Sequence, residues 1–127
     1  MTGILHDSSS ALSLWRIDPY WSSQLLVEYS KDLHACRILD GQLHEEEYSV
    51  KDGVIYYHGR IFLSRASELK GKLLQVAHED FLFSLTYSMR AYHTIMEGYI
   101  WEGFEEEIYQ HMKRCTDHVE KIGRAHV

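Results

Sequence analysis

Cysteine is scarce in this chain: Cys36 and Cys115 are the only two among 127 residues, too few and too far apart in sequence for a disulfide framework. That scarcity points to a reduced compartment and leaves either thiol free to bind metal. Long apolar runs are also lacking. No stretch approaches the roughly 20 apolar residues that cross a bilayer, and the region near Met1 lacks the basic-then-apolar order of a secretion signal. The expected setting is therefore intracellular, without a membrane partner. Basic charge is short as well, with 13 Lys and Arg against 19 Asp and Glu, a net charge of −6 and no cationic cluster. Such a chain repels a phosphate backbone, so DNA binding by the isolated chain is not expected. There is no Gly-rich phosphate loop, no Gly-x-Ser-x-Gly elbow and no Cys-His pair at metalloprotease spacing, so the chain by itself is read as neither an enzyme nor a small-molecule binder.

Periodicity supplies the architecture. Residues 1 to 13 are polar and aperiodic, with Ser8, Ser9 and Ser10 in a row, and read as a frayed leader. After Pro19, the apolar residues Trp21, Leu25, Leu26, Tyr29, Leu33 and Cys36 recur at threes and fours and predict one amphipathic helix from Tyr20 to about Cys36. Gly41 is a break, and Glu45 to Glu47 form a solvated acidic run. Residues 48 to 63 are rich in β-branched and aromatic side chains and carry two turn signals, Asp52-Gly53 and His58-Gly59, which predict two or three short antiparallel strands. The firmer hairpin pairs Val54 to Tyr57 with Arg60 to Leu63.

Three helices follow. Ser64 is positioned to cap the first, which the stripe Ala66, Leu69, Leu73, Val76, Ala77 carries to Ala77, with His78 at its end. Phe81 to Leu85 is apolar without clear period. Met89, Tyr92 and Met96 mark a second helix ending near Gly98, and Trp101 lies in a connection. The third runs from about Gly103 to Cys115, with Phe104, Ile108, His111, Met112 and Cys115 on one side and Glu105, Glu106 and Glu107 at its amino end, where the helix dipole favours them. Adjacent glutamates point to different sides of a helix, which is wrong for a shared metal. The fold class is mostly α: a small helical domain with an N-terminal β-hairpin, preceded by a separate helix.

Residues Lys51 to His118 resemble the zinc-binding region of gypsy-like LTR retrotransposon integrases. Lys51-Asp-Gly-Val-Ile-Tyr-Tyr-His-Gly-Arg-Ile-Phe-Leu63 is similar to the family's opening hairpin, and Leu69-Lys-Gly-Lys-Leu-Leu-Gln-Val-Ala-His78 to the helix delivering its first metal-binding histidine. Ala91-Tyr-His93 and Tyr99-Ile-Trp-Glu-Gly103 resemble its mid-domain helix and aromatic-Trp-x-Gly turn, and Cys115 stands where the first of its two cysteines belongs. The match needs no gap between His78 and His118 and spans a little over half the chain. The ordered series is more specific than any one part.

In that family two histidines and a Cys-x-x-Cys pair hold one structural zinc, a donor set that suits the ion. The resemblance implies three metal candidates here: His78, Cys115 and His118, the last replacing the second cysteine at the same three-residue spacing. The family's second histidine falls on Leu85, which cannot ligate. The implied cofactor is thus a zinc whose site is weakened or lost. His111, Asp80 or Glu79 could complete it, although a histidine on an apolar helix face is usually just packed. Phe81, Leu82, Phe83 and Leu85 would offset a lost ligand by enlarging apolar contact between helices. His6, His34, His44, His58 and His93 read as surface or packing residues, and Cys36 as core.

The function implied is an accessory, assembly role in DNA integration, with integrase subunits and element DNA ends as partners in a parent polyprotein acting in cytoplasm and nucleus. The catalytic Asp, Asp, Glu core that would hold two metals is not in this sequence. The implied organisation is a leader and polyprotein linker helix over 1–47, the zinc-binding-like domain over 48–120, and a non-native tail over 121–127, where the last six residues match the translation of a common sequencing-library adapter. Ala11-Leu-Ser13 is similar to the end of the ribonuclease H portion of such polyproteins. Two alternatives stand beside this reading: a metal-free, host-retained helical protein-interaction module, and a small helical domain unrelated to integrases.

Overall fold

The structure, a computed structural model, describes residues 13–41 and 46–125. In chain order these form α1 (Leu14–Ile17), α2 (Trp21–Ser30), α3 (Leu33–Leu39), β1 (Tyr48–Lys51), β2 (Val54–Tyr57), β3 (Arg60–Phe62), α4 (Glu68–Phe83), α5 (Arg90–Gly98), β4 (Tyr99–Ile100) and α6 (Phe104–Ala125). The mostly helical class is as expected. The leader residues 1–12, with His6, and residues 42–45, with His44, lie outside the described residues.

Both turn signals fold as their chemistry requires. Asp52 and Gly53 have φ of 53° and 82°, and His58 and Gly59 have 51° and 81°, all in the left-handed region. Two successive positive-φ residues give the tight turn whose twist matches paired antiparallel strands. Lys51 therefore pairs with Val54, and Tyr57 with Arg60. A strand not expected from the sequence, β4, pairs in parallel with β3 through Ile61 with Tyr99 and Phe62 with Ile100, completing the order β1-β2-β3-β4. Two residues are too short for any period to reveal.

Four helix boundaries differ from expectation. The first predicted helix is two, because the Asp32 carboxylate accepts a hydrogen bond from the Ala35 amide at 3.2 Å and starts a new helix. The cap of α4 is Ser67, whose hydroxyl accepts from the Leu69 amide at 3.1 Å, and not Ser64. That helix continues six residues past Ala77, because Leu73, Ala77 and Phe81 form one buried stripe at four-residue spacing. His78 is consequently in mid-helix. Helix α6 likewise runs on through Val119, one turn beyond Cys115 and packed on the core, into the segment expected to be a foreign tail.

The helices assigned above to a linker share one core with the rest. Leu25 and Tyr29 of α2 and Ala35 of α3 are fully buried together with Ile55, Leu69, Leu73, Tyr92 and Trp101. The Tyr29 hydroxyl donates to the Phe62 carbonyl at 2.6 Å and accepts from the Ile55 amide at 3.2 Å. Continuing the β2–β3 register by one step would set Ile55 opposite Phe62, so this phenol stands in for the missing rung where β3 leaves β2 to join β4. Burial holds the Tyr29 phenol well above the usual tyrosine range, opposed by the Ile55 hydrogen bond. Cys36, expected in the core, is half-buried, with its thiol 3.3 Å from the Tyr29 carbonyl.

Glu28 provides a second tie. Its carboxylate accepts from the Ser67 hydroxyl and from the Glu68 amide at 3.0 Å, so a side chain of α2 caps the start of α4. At the other end of the sheet, Tyr99 is buried, which pushes its phenol up to about 12 against a backbone hydrogen bond with Leu14 of α1.

Candidate functional site

The site suggested by the sequence lies where α4, α5 and α6 meet. Helix α6 buries Ile108 and Cys115 on one stripe, α4 brings His78 to it, and α5 brings Tyr92. The His78 Nδ1 atom is 3.4 Å from the Cys115 sulfur, although 37 residues separate them in sequence. The Tyr92 hydroxyl is 3.3 Å from the same sulfur. A thiol has one proton to donate and weak acceptor lone pairs, so phenol, thiol and imidazole can be satisfied in series. Burial, the hydrogen bond to Cys115 and the negative potential of its thiol hold the Tyr92 phenol well above the usual range, with Arg114 opposing. Tyr92 therefore stays neutral and keeps its proton.

The separation of His78 and Cys115 is close to what zinc would set. Donors at about 2.3 Å and 2.05 Å from a tetrahedral ion lie roughly 3.6 Å apart. The rest of the donor set does not follow. His118 is exposed on α6, and Glu79 and Asp80 are exposed beside His78. Among the described residues no three His, Cys, Asp or Glu side chains are grouped to hold a metal. Cys115 is fully buried, and Tyr92, which cannot replace the missing nitrogen or sulfur donors, occupies its other side. The described residues thus offer two donors in contact and do not fit a closed tetrahedral site.

His111, one turn before Cys115, comes nearest to joining. It is half-buried, its ring centroid is 6.5 Å from that of Tyr92, and burial lowers its pKa, assisted by Arg114 and His78 and opposed by Glu107. An imidazole packed on a phenol is the arrangement observed.

The expected apolar compensation around Leu85 is not what the structure holds. Phe81 is buried, but Phe83 is 84% exposed, Leu85 is 99% exposed and Leu82 is 40% exposed. The Ser84 hydroxyl accepts from the Thr86 and Ser88 amides at 3.2 and 3.1 Å, turning the chain outward after α4. Tyr87, at φ of 52°, packs on Phe81 instead, with ring centroids 5.6 Å apart. Tyr92 is the site residue that sequence reasoning missed. Its place on the stripe with Met89 and Met96 signals a buried face, but no spacing rule pairs a phenol with a thiol 23 residues away.

The Trp-x-Gly turn closes the far end of the same helices. Trp101 is buried, its indole N–H donates to Glu107 at 3.0 Å, and Lys70 reaches Glu107 at 3.2 Å while lying 5.7 Å from the indole centroid. Gly103, at φ of 78°, lets the chain reverse into α6. His34, His58 and His93 are exposed, and His34 packs edge-on to Tyr48. No helix among the described residues is long and apolar enough to cross a membrane. No protein-family model, curated protein or solved structure matches the chain.

Proposed function

We propose that this chain is a non-catalytic assembly module, the degenerate counterpart of the zinc-binding region of a gypsy-like retrotransposon integrase, with the metal clasp replaced by the His78–Cys115–Tyr92 contact. One observation carries this reading: two side chains that the resemblance makes ligands of one ion lie 3.4 Å apart. In a helical domain with no such ancestry that contact would be a coincidence of packing. In the parent polyprotein the module would help position integrase subunits and element DNA ends, in cytoplasm and nucleus, while a separate core performs strand transfer. His118 and His111 are the residues that a residual, weakened zinc site would recruit.

The test is native mass spectrometry of the purified chain, with thermal unfolding in added zinc and in chelator. The expected result is a metal-free mass and a midpoint that chelator does not move. One tightly held zinc would overturn the metal-free clasp, since such ions contribute on the order of 10 kcal/mol to small folds. A second reading, a host-retained protein-interaction module, is favoured by the exposed Phe83 and Leu85. Genomic sequence beyond Glu120 separates the two: a disrupted Asp, Asp, Glu core supports the integrase origin, and an intact gene with introns and no core supports the second reading.

A further inference from the structure

A cleft of about 970 Å³ opens between the end of α2, the start of α3, the sheet and the segment that leads into α4. One of its walls is aromatic. The His34 ring centroid is 5.8 Å from that of Phe62 and 5.9 Å from that of Tyr48, which in turn lies 4.9 Å from that of Tyr57. The charges lining the cleft are unequal: Glu28, Asp32, Glu68 and Glu102 against Lys31 and Arg65. Arg65 is matched by Glu102 at 3.8 Å, which leaves three carboxylates facing one lysine. Glu28 and Asp32 also cap helices, Glu28 at the start of α4 and Asp32 at the start of α3. Ser64, which also lines the cleft, is only 6% exposed, and its buried hydroxyl has no hydrogen-bond partner among the described residues.

These features select one kind of occupant. An anion, including a nucleic-acid phosphate, would meet an excess of carboxylates. An apolar group would strip water from those carboxylates. A cation is favoured by the ring faces and is balanced by the carboxylates. We propose that this cleft receives a lysine or arginine side chain presented by a basic peptide segment of a protein partner. The proposal rests on the cleft alone and stands or falls separately from the integrase reading.

The test is an amide-resolved NMR titration of the full chain with capped pentapeptides Gly-Gly-X-Gly-Gly, where X is Lys, Arg, norleucine or Glu. Saturable shifts at His34, Tyr57, Phe62 and Glu68 are expected with Lys and Arg and not with norleucine or Glu. Glu68→Gln, an exposed change, should weaken lysine-peptide binding about threefold or more. Ser64→Ala, which removes a buried hydroxyl that the peptide does not reach, should leave lysine-peptide binding unchanged and the unfolding midpoint equal or higher. Equal shifts with norleucine, stronger shifts with Glu or a single-stranded oligonucleotide, no saturable shift at all, or unaltered binding in Glu68→Gln would each overturn the proposal.

Discussion

Removing one oxygen from Tyr29 tests whether α2 is part of this domain or a linker lying against it. In Tyr29→Phe the ring and its apolar burial remain, while the hydroxyl that bridges the Ile55 amide and the Phe62 carbonyl is lost. Each hydrogen bond contributes a net of about 0.5–1.5 kcal/mol, and a buried group left unpaired costs about 1–3 kcal/mol. If the two backbone groups close on one another, the loss is about 1 kcal/mol. Closure requires β3 to move back toward β2, which its parallel pairing with β4 resists. The expected destabilisation is therefore about 2–3 kcal/mol, a drop of roughly 6–12 °C in midpoint for a chain of this size. Urea unfolding should show a lower midpoint at unchanged slope, and hydrogen exchange should show faster opening at the Ile55 amide. A change below about 0.5 kcal/mol with Ile55 equally protected would refute the account of this phenol as a replacement rung.

Further outcomes follow from the same geometry. Glu28→Ala should cost about 1–2 kcal/mol by uncapping α4, with exchange quickening first at the Glu68 and Leu69 amides; unchanged exchange there would remove its capping role. Gly53→Ala should destabilise more than Gly59→Ala in parallel melts. Both residues hold positive φ, but an added Cβ at Gly53 would come 2.7 Å from the Leu26 side chain, whereas at Gly59 it meets nothing within 4 Å. At alkaline pH the unfolded chain releases phenol protons from about pH 10 while buried Tyr29, Tyr92 and Tyr99 retain theirs. Stability should thus be full below pH 10 and fall as pH rises toward about 12, the value for Tyr99, with phenolate absorbance lagging until unfolding. At the acid end His111, with its pKa held down, contributes stability that is present above about pH 6.5 and lost as pH falls below it. His111→Gln should flatten that part of a midpoint-against-pH profile.

What could be read from the residues alone was whatever depends on near neighbours. Asp52-Gly53 and His58-Gly59 announced their turns because left-handed backbone is tolerated by few residue types, and the strands between them followed. The stripes through Leu69, Leu73 and Ala77 and through Ile108, Met112 and Cys115 announced helices, because one face of a helix must be buried. The place of His78 and Cys115 in an ordered pattern marked them as a pair, and they are in contact. What tertiary structure decided was each outcome that depends on a partner distant in sequence. Glu28 sets the start of α4, Tyr29 replaces a strand rung, β4 exists only because β3 is beside it, and Tyr92 rather than His118 meets the thiol. Spacing along a helix restricts which side chains share a face, but which of them another element will touch depends on how the elements pack together.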